Sequence, residues 1–477
     1  MLYITKIISN ACLAMLNCGM CITATNMARK FYSARNMKIC PMDHRGCDKE
    51  KWYFACFSFV LYMSALFGCF LCLFFKSLNR RKFMLLINYL FMFGSLLTIY
   101  NKPHIIIFLF TQAFFGLAIG CSFVIVCFYV LEYSTKTYQN FYGFYLQTFF
   151  ALGMFISYLF GGAYENIKFD NLRRTHICLY TLYKIHFLLP TLFSLISVLL
   201  FHFVYKMDTP LHLYEKKSYK KYETLKSKIN MEQLDEVTEY HRNKTNKEVR
   251  FLMSDMLFID FWNNKKLFNT SLITSLICYL YSFSGCFIFF TKPFLFYKSF
   301  STNMANTFIC VGFILWYIIC TIISTIISQY YKKRDLLIIG LVLQVIASTA
   351  MVASYFVTLT NITNKIIITI SIFLYFLGLS FGFGHIIWTH VFETFPNECR
   401  ILAAFFSYYA LFIGAFIMSA LLEFISINHY SYVFITFLVS LILSVICFNY
   451  FQKEDVVVID KSKSFNVEEK DEEQSTS

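Results

Sequence analysis

Polar and aromatic side chains set inside long apolar runs are the residues of this sequence best placed to do chemistry, because a hydrocarbon setting gives them no other reason to be there. One run holds His385, Trp388 and His390, another holds Tyr279, Tyr281 and Phe283, and a third holds Gln147. Hydrogen-bonding groups and ring faces together are what a binding site for a small organic solute needs. Ring quadrupoles attract a desolvated cation by about 0.5 to 2 kcal/mol, and the same faces suit a neutral solute. His385 is the titratable candidate, since an unperturbed imidazole changes charge at about pH 6.5. No Asp, Glu, Lys or Arg falls near the middle of a clear apolar run. The sequence therefore shows no counter-ion for a strongly charged solute and no carboxylate for coupling to protons.

A second set of residues sits where the runs end. Arg80 and Arg81 follow the second run and Glu132 follows the fourth; Lys333 and Arg334 follow the eighth, and Glu393 with Arg400 follows the tenth. An Arg or Lys at one helix end can pair with a carboxylate at the end of a neighbour, latching one conformation until the pair breaks. The distance from basic cluster to acid is about 50 to 60 residues in both halves of the chain, as a duplicated unit gives.

These residues need elements to hold them, and composition says which. Hydrophobic residues make up 58% of the 477 and charged residues 15%, with Phe at 58 and Tyr at 33, which excludes an ordinary water-soluble globule. Only 6 Pro and 17 Gly interrupt the chain, so its apolar runs are long, as spanning helices require and short alternating barrel strands do not. The clear runs cover 52–75, 83–100, 105–131, 141–162, 185–205, 267–290, 304–328, 336–358, 366–391, 401–422 and 430–450, and a weaker one, 7–25, carries Asn10 and Asn17. Each approaches the roughly 20 residues that cross a bilayer.

The expected fold is all-α: a polytopic membrane protein of about twelve transmembrane helices in two six-helix halves. The expected domains are 1–206, the first half; 207–266, a Lys- and Glu-rich cytoplasmic linker; 267–452, the second half; and 453–477, an acidic tail. Gly116 with Gly120, and Gly378 with Gly382, have the small-xxx-small spacing that lets helix backbones approach, and Gly153 marks another close face.

The +14 formal charge does not read as nucleic-acid binding, because the basic residues lie in short clusters between runs, where they set orientation: the N-terminus is inside if the weak run 7–25 inserts, and outside, with the rest unchanged, if it does not. The expected partners are a small solute and the lipid bilayer, with a coupling ion left open. No cofactor or metal is expected, and no enzyme: G-x-x-x-x-G-K-[ST] and H-E-x-x-H are missing from the sequence, and Gly378-Leu379-Ser380-Phe381-Gly382, which fits G-x-S-x-G, lies inside an apolar run and not on the strand-to-helix turn of a nucleophile elbow. Most of the 17 cysteines sit inside apolar runs as small hydrophobes, while Cys40 and Cys47 lie in a polar stretch assigned to the outside and form the candidate disulfide.

The segment Glu393-Thr394-Phe395-Pro396-Asn397-Glu398-Cys399-Arg400 resembles the turn after the tenth helix in the organic cation/anion transporter branch of the major facilitator superfamily and in related sugar porters. Asn79-Arg80-Arg81, Lys332-Lys333-Arg334, the segment from Glu132 to Gly143, and Asp208-Thr209-Pro210 resemble the family's other loop motifs in position and order. The departures are Lys76 and Gln329 where the family has a loop aspartate, and Gln139 where it has an arginine.

The resemblance implies a secondary transporter that moves an organic ion or related metabolite by alternating access, through a midplane site between the halves, in the plasma membrane. A sugar porter is the second reading, and a sensor that keeps the fold without moving solute is the third.

Overall fold

The computed structural model describes residues 2–27, 48–74, 79–100, 105–134, 138–166, 172–215, 218–226, 262, 265–291, 303–331, 333–356, 361–395, 399–424 and 432–448. The first half contains α1 (Leu2–Met27), α2 (Asp48–Phe74), α3 (Arg80–Tyr100), α4 (Ile105–Tyr133), α5 (Gln139–Asn166) and α6 (Leu172–Leu199). Two short helices follow, α7 (Pro210–Glu215) and α8 (Tyr219–Lys226).

The second half contains α9 (Lys265–Phe283), α10 (Cys286–Thr291), α11 (Asn303–Ile327), α12 (Lys333–Phe356), α13 (Asn361–Phe381), α14 (Phe383–Thr394), α15 (Arg400–Phe424) and α16 (Tyr432–Phe448). No strand occurs among the described residues.

Nine helices are long and apolar enough to cross a bilayer, and three shorter apolar ones, Leu267–Phe283, Ile366–Phe381 and Tyr432–Phe448, bring the described spans to twelve. The shortness of the first two has a cause. The seventh span breaks at Ser284-Gly285 into α9 and α10, and the tenth breaks at Gly382 into α13 and α14. Gly285 takes φ +101°, a left-handed conformation that only glycine adopts without strain. Ser284 Oγ donates to the Tyr281 carbonyl at 2.7 Å, and the Tyr375 hydroxyl donates to the Ser284 carbonyl at 2.9 Å, so the break is held by polar groups rather than left open.

The polar residues of the first span have a setting that accounts for them. In Tyr3–Ala24, 89% of the residues of its most apolar window are buried against neighbours, whereas in Tyr180–Val204 39% are. A helix wrapped by protein can carry Asn10 and Asn17, because its faces do not meet lipid. Outer helices show the opposite pattern: Leu315, Ile319, Ile322, Ile323 and Ile326 of α11 are exposed at helical spacing, the signature of a lipid-facing stripe.

The small-residue pairs mark close approaches as their spacing predicts. A Cβ on Gly120 would stand 2.9 Å from the Cys69 nitrogen of α2, and one on Gly378 would stand 2.6 Å from the Gly340 carbonyl of α12.

Candidate solute site between the halves

Gln147 projects from α5 into the contact between the two halves. Its amide nitrogen donates to the Tyr317 hydroxyl of α11, and its amide oxygen accepts the indole N–H of Trp388 on α14. All three side chains are buried. Rings close around them: Phe123 of α4 lies 4.7 Å from Trp388, Phe150 of α5 lies 5.9 Å from it, and Phe290 of α10 lies 5.4 Å from Tyr317. Helices of both halves therefore meet on one amide enclosed by aromatic faces.

The half-helix α10 is tied to this centre. The Tyr158 hydroxyl of α5 donates to the carbonyls of Phe289 and Phe290 at 2.8 and 2.9 Å, and Phe150 lies 6.1 Å from Phe290. Gly384 opens α14 beside the amide: a Cβ there would stand 3.4 Å from the Tyr317 hydroxyl and 3.6 Å from the Gln147 side-chain carbon. A small apolar gap to one side, about 10 Å³ and lined by residues such as Tyr158, Phe289, Phe313 and Phe376, has room for about one water and not for a solute.

The structure sorts the residues named from the sequence. Gln147 and Trp388 come together. Tyr281 is buried nearby against Phe287 and Phe383, at 6.0 and 5.4 Å. Tyr279 and Phe283 meet as tilted rings 4.7 Å apart on the other side of α9, because residues two apart on a helix point in nearly opposite directions. His390 faces Phe448 of α16 at 5.9 Å, a different direction from Trp388. The side chains of His385, Glu393, Lys333 and Arg334 lie outside the described residues, as do Cys40 and Cys47.

Tyr317, Phe123 and Phe290 are central to the site and were not legible as such. Tyr317, beside Trp316 in an otherwise aliphatic stretch of α11, carried the one available signal.

At the inner end of the first half, Arg80 Nε stands 3.5 Å from Glu132 Oε1, and the guanidinium lies 4.7 Å above the Phe128 ring. Both partners are buried, at 9% and 1% side-chain exposure. Arg81 is fastened instead to the chain just beyond α6, where Leu200–Val204 form a π-helical turn: its backbone N–H donates to Asp208 Oδ1 at 3.1 Å and its guanidinium to the carbonyls of Phe201 and Lys206 at 3.0 and 2.7 Å. Arg400 Nε donates to the Phe395 carbonyl at 3.4 Å, closing the turn between α14 and α15.

Twelve described spans in two halves, with a buried amide bridging them, define a membrane transporter of the major facilitator type, and the comparisons make the class specific. The sequence model described as "Sugar (and other) transporter" matches residues 11–456, and the chain belongs to that family; it is a transporter and not an enzyme.

The chain is 23% identical over 461 residues to Hexose transporter 1 of Plasmodium falciparum (isolate 3D7), covering 94% of this chain and 90% of that protein. It is 24% identical over 331 residues to Hexose transporter 1 of Plasmodium knowlesi, covering 68% of this chain and 65% of that relative's length. The MFS proton:xylose symporter XylE bound to 6-bromo-6-deoxy-D-glucose superposes with a TM-score of 0.75 at 13% identity, covering 94% of this chain and 95% of that one. The inward open form of the xylose transporter XylE from E. coli gives 0.66 at 13% identity, covering 92% and 95%.

These comparisons do not support the organic cation/anion branch that the turn at 393–400 suggested. They point to the sugar porters, which share that turn and so could not be told apart by it.

Proposed function

We propose that the chain carries a sugar, or a solute of similar size with several hydroxyl groups, across the membrane by alternating access. The observation that carries this reading is the Gln147 amide held between Tyr317 and Trp388. An amide, a phenol and an indole that satisfy one another can each exchange that partner for a solute hydroxyl without leaving a buried polar group unpaired. The flanking rings of Phe123, Phe150 and Phe290 suit the apolar face of a sugar ring. The names of the relatives agree with a sugar, and the absence of a carboxylate from the middle of any clear span favours facilitated movement over proton coupling.

In this account the broken helices are the moving parts. A short half-helix such as α10 or α14 can tilt about Gly285 or Gly382 while the longer segment stays packed. Arg80 with Glu132 latches the inner end of the first half, and Glu393 with Arg400, Lys333 and Arg334 is assigned the matching role in the second. The residues 1–206 and 267–452 are read as the two rocking units. The plasma membrane is the site we assign, and labelling of the cell surface checks it.

Trp388 supplies the test. The chain has 4 Trp, and fluorescence titration of the purified protein with glucose, xylose and tetraethylammonium should give saturable quenching by a sugar that disappears in Trp388→Phe. Quenching by tetraethylammonium alone would return the chain to the organic-ion reading.

A further inference from the structure

Behind the solute site, where α1, α3 and α6 meet, six polar atoms are buried without a hydrogen-bond partner among the described residues. They are Asn10 Nδ2 and Oδ1, Asn17 Oδ1, Asn88 Oδ1, Ser95 Oγ and Thr191 Oγ1. All five residues are more than nine-tenths buried, with exposures of 2%, 0%, 0%, 0% and 7%.

Two contacts fix the register of α1 on α6: Ser197 Oγ donates to the Asn10 carbonyl at 3.4 Å, and Asn17 Nδ2 donates to Ser194 Oγ at 2.8 Å. Arg81, bonded to the carbonyls of Phe201 and Lys206 in the segment that directly continues α6, fixes the antiparallel register of α3 against that helix. Asn88 and Ser95 follow Arg81 at intervals of seven residues, close to two turns each, and so fall on one stripe of α3. That register carries Asn88 to the level of Ser194 and Ser197, and Ser95 to the level of Thr191.

The hydroxyls are not idle by default. Thr98 and Ser122, elsewhere in α3 and α4, donate to the carbonyls four residues back, at 3.0 and 2.6 Å. That is the ordinary solution for a hydroxyl inside a helix. Ser95 and Thr191 do not use it, so their oxygens are directed to something between the helices.

The chemistry of the orphans names their ligand. Asn10 presents both a donor and an acceptor, while the remaining atoms are carbonyl or hydroxyl oxygens. A cation would satisfy the oxygens but not the Asn10 N–H groups, and α1, α3 and α6 contain no Asp or Glu to balance its charge. Water donates and accepts, and needs two to four such partners.

We propose that this seam binds a short file of water molecules that bridges α1 to α3 and α6. The central helix is then joined to its neighbours by bonds that re-form after a small displacement, which frees it to shift as the halves rock. The inference stands apart from the identity of the solute.

Met84 reports on the seam. It is buried, lies one turn before Asn88 on the same stripe, and its carbonyl accepts the Asn88 Nδ2 at 2.8 Å. Brief X-ray radiolysis of the full chain in lipid nanodiscs generates hydroxyl radicals from bound water. Met84, at 0% exposure, should be oxidised several-fold faster than Met418 of α15, which is buried to 3% exposure. In parallel, Asn10→Leu and Asn88→Leu should each lower the thermal unfolding midpoint, because each strands the water and the remaining oxygens. Oxidation of Met84 no faster than Met418 overturns the proposal even if neither variant folds. So does a raised midpoint in both variants, which is what a dry seam relieved of an orphaned amide would give.

Discussion

The amide oxygen of Gln147 in the first half accepts the indole N–H of Trp388 in the second, so the two halves are joined at their centre by neutral hydrogen bonding and not by charge. A neutral bond can be exchanged for a solute hydroxyl at little net cost, whereas a buried ion pair could not be opened so cheaply. Gln147→Ala removes this group and leaves Tyr317 and Trp388 without it. At about 1 to 3 kcal/mol for groups left unsatisfied, the apparent affinity for the transported sugar should fall by about tenfold or more. Initial-rate uptake over a range of sugar concentrations checks this, with the Michaelis constant expected to rise more than the maximal rate falls.

The break in the seventh span depends on one residue. Gly285→Ala places a methyl group on a backbone at φ +101° and 2.6 Å from the Phe437 ring. The strain should cost about 1 to 3 kcal/mol and lower both the unfolding midpoint and the uptake rate. Phe437→Leu in the same chain should recover only part of the loss, because it relieves the ring contact but not the backbone conformation. Full recovery would show that the left-handed turn is dispensable.

The Arg80–Glu132 pair is buried, so breaking it is more costly than breaking a surface pair. Arg80→Ala leaves Glu132 at 1% exposure without its guanidinium and should destabilise the protein by about 3 to 5 kcal/mol. Removing both charges together, as Arg80→Ala with Glu132→Ala, should restore much of the stability while the transport rate stays low, since the latch is gone. Thermal unfolding in detergent separates the variants, and equal midpoints for the single and double changes would count against a stabilising pair.

Two helical glycines give opposite expectations. Gly120→Val drives side-chain atoms into Ala65 and Cys69 of α2 and should abolish accumulation of folded protein. Gly312→Ala on α11 meets nothing within 4 Å and should raise stability by about 0.5 to 1 kcal/mol through the helix preference of alanine. Size-exclusion profiles and unfolding midpoints of the two proteins, prepared side by side, decide the point.

Much of the fold could be read from the sequence because a bilayer imposes length on every apolar run. What could not be read is where helices are broken by protein contacts. The 267–290 and 366–391 runs look continuous, since Ser284 finds Tyr375, and Phe437 meets Gly285, from helices distant in sequence.

In the site, Gln147 and Trp388 stand out in the sequence as polar groups in apolar helices, and in the structure they hydrogen-bond to each other across the interface. Tyr317 was hidden among 33 tyrosines that composition cannot rank. Grouping Tyr281 with Tyr279 and Phe283 went against helical geometry, since alternate residues diverge by nearly half a turn. The organic-ion reading arose because the turn around Phe395 and Arg400 packs one helix end against the next and is indifferent to what passes through the centre.

Uptake of labelled solutes by proteoliposomes containing the purified chain tests the central claim most directly. Saturable entry of a hexose or pentose, inhibited by unlabelled sugar, unaffected by a protonophore and strongly reduced in Gln147→Ala, is the predicted result. Entry of organic cations or anions with no movement of any sugar, or binding of sugar without entry, would contradict it.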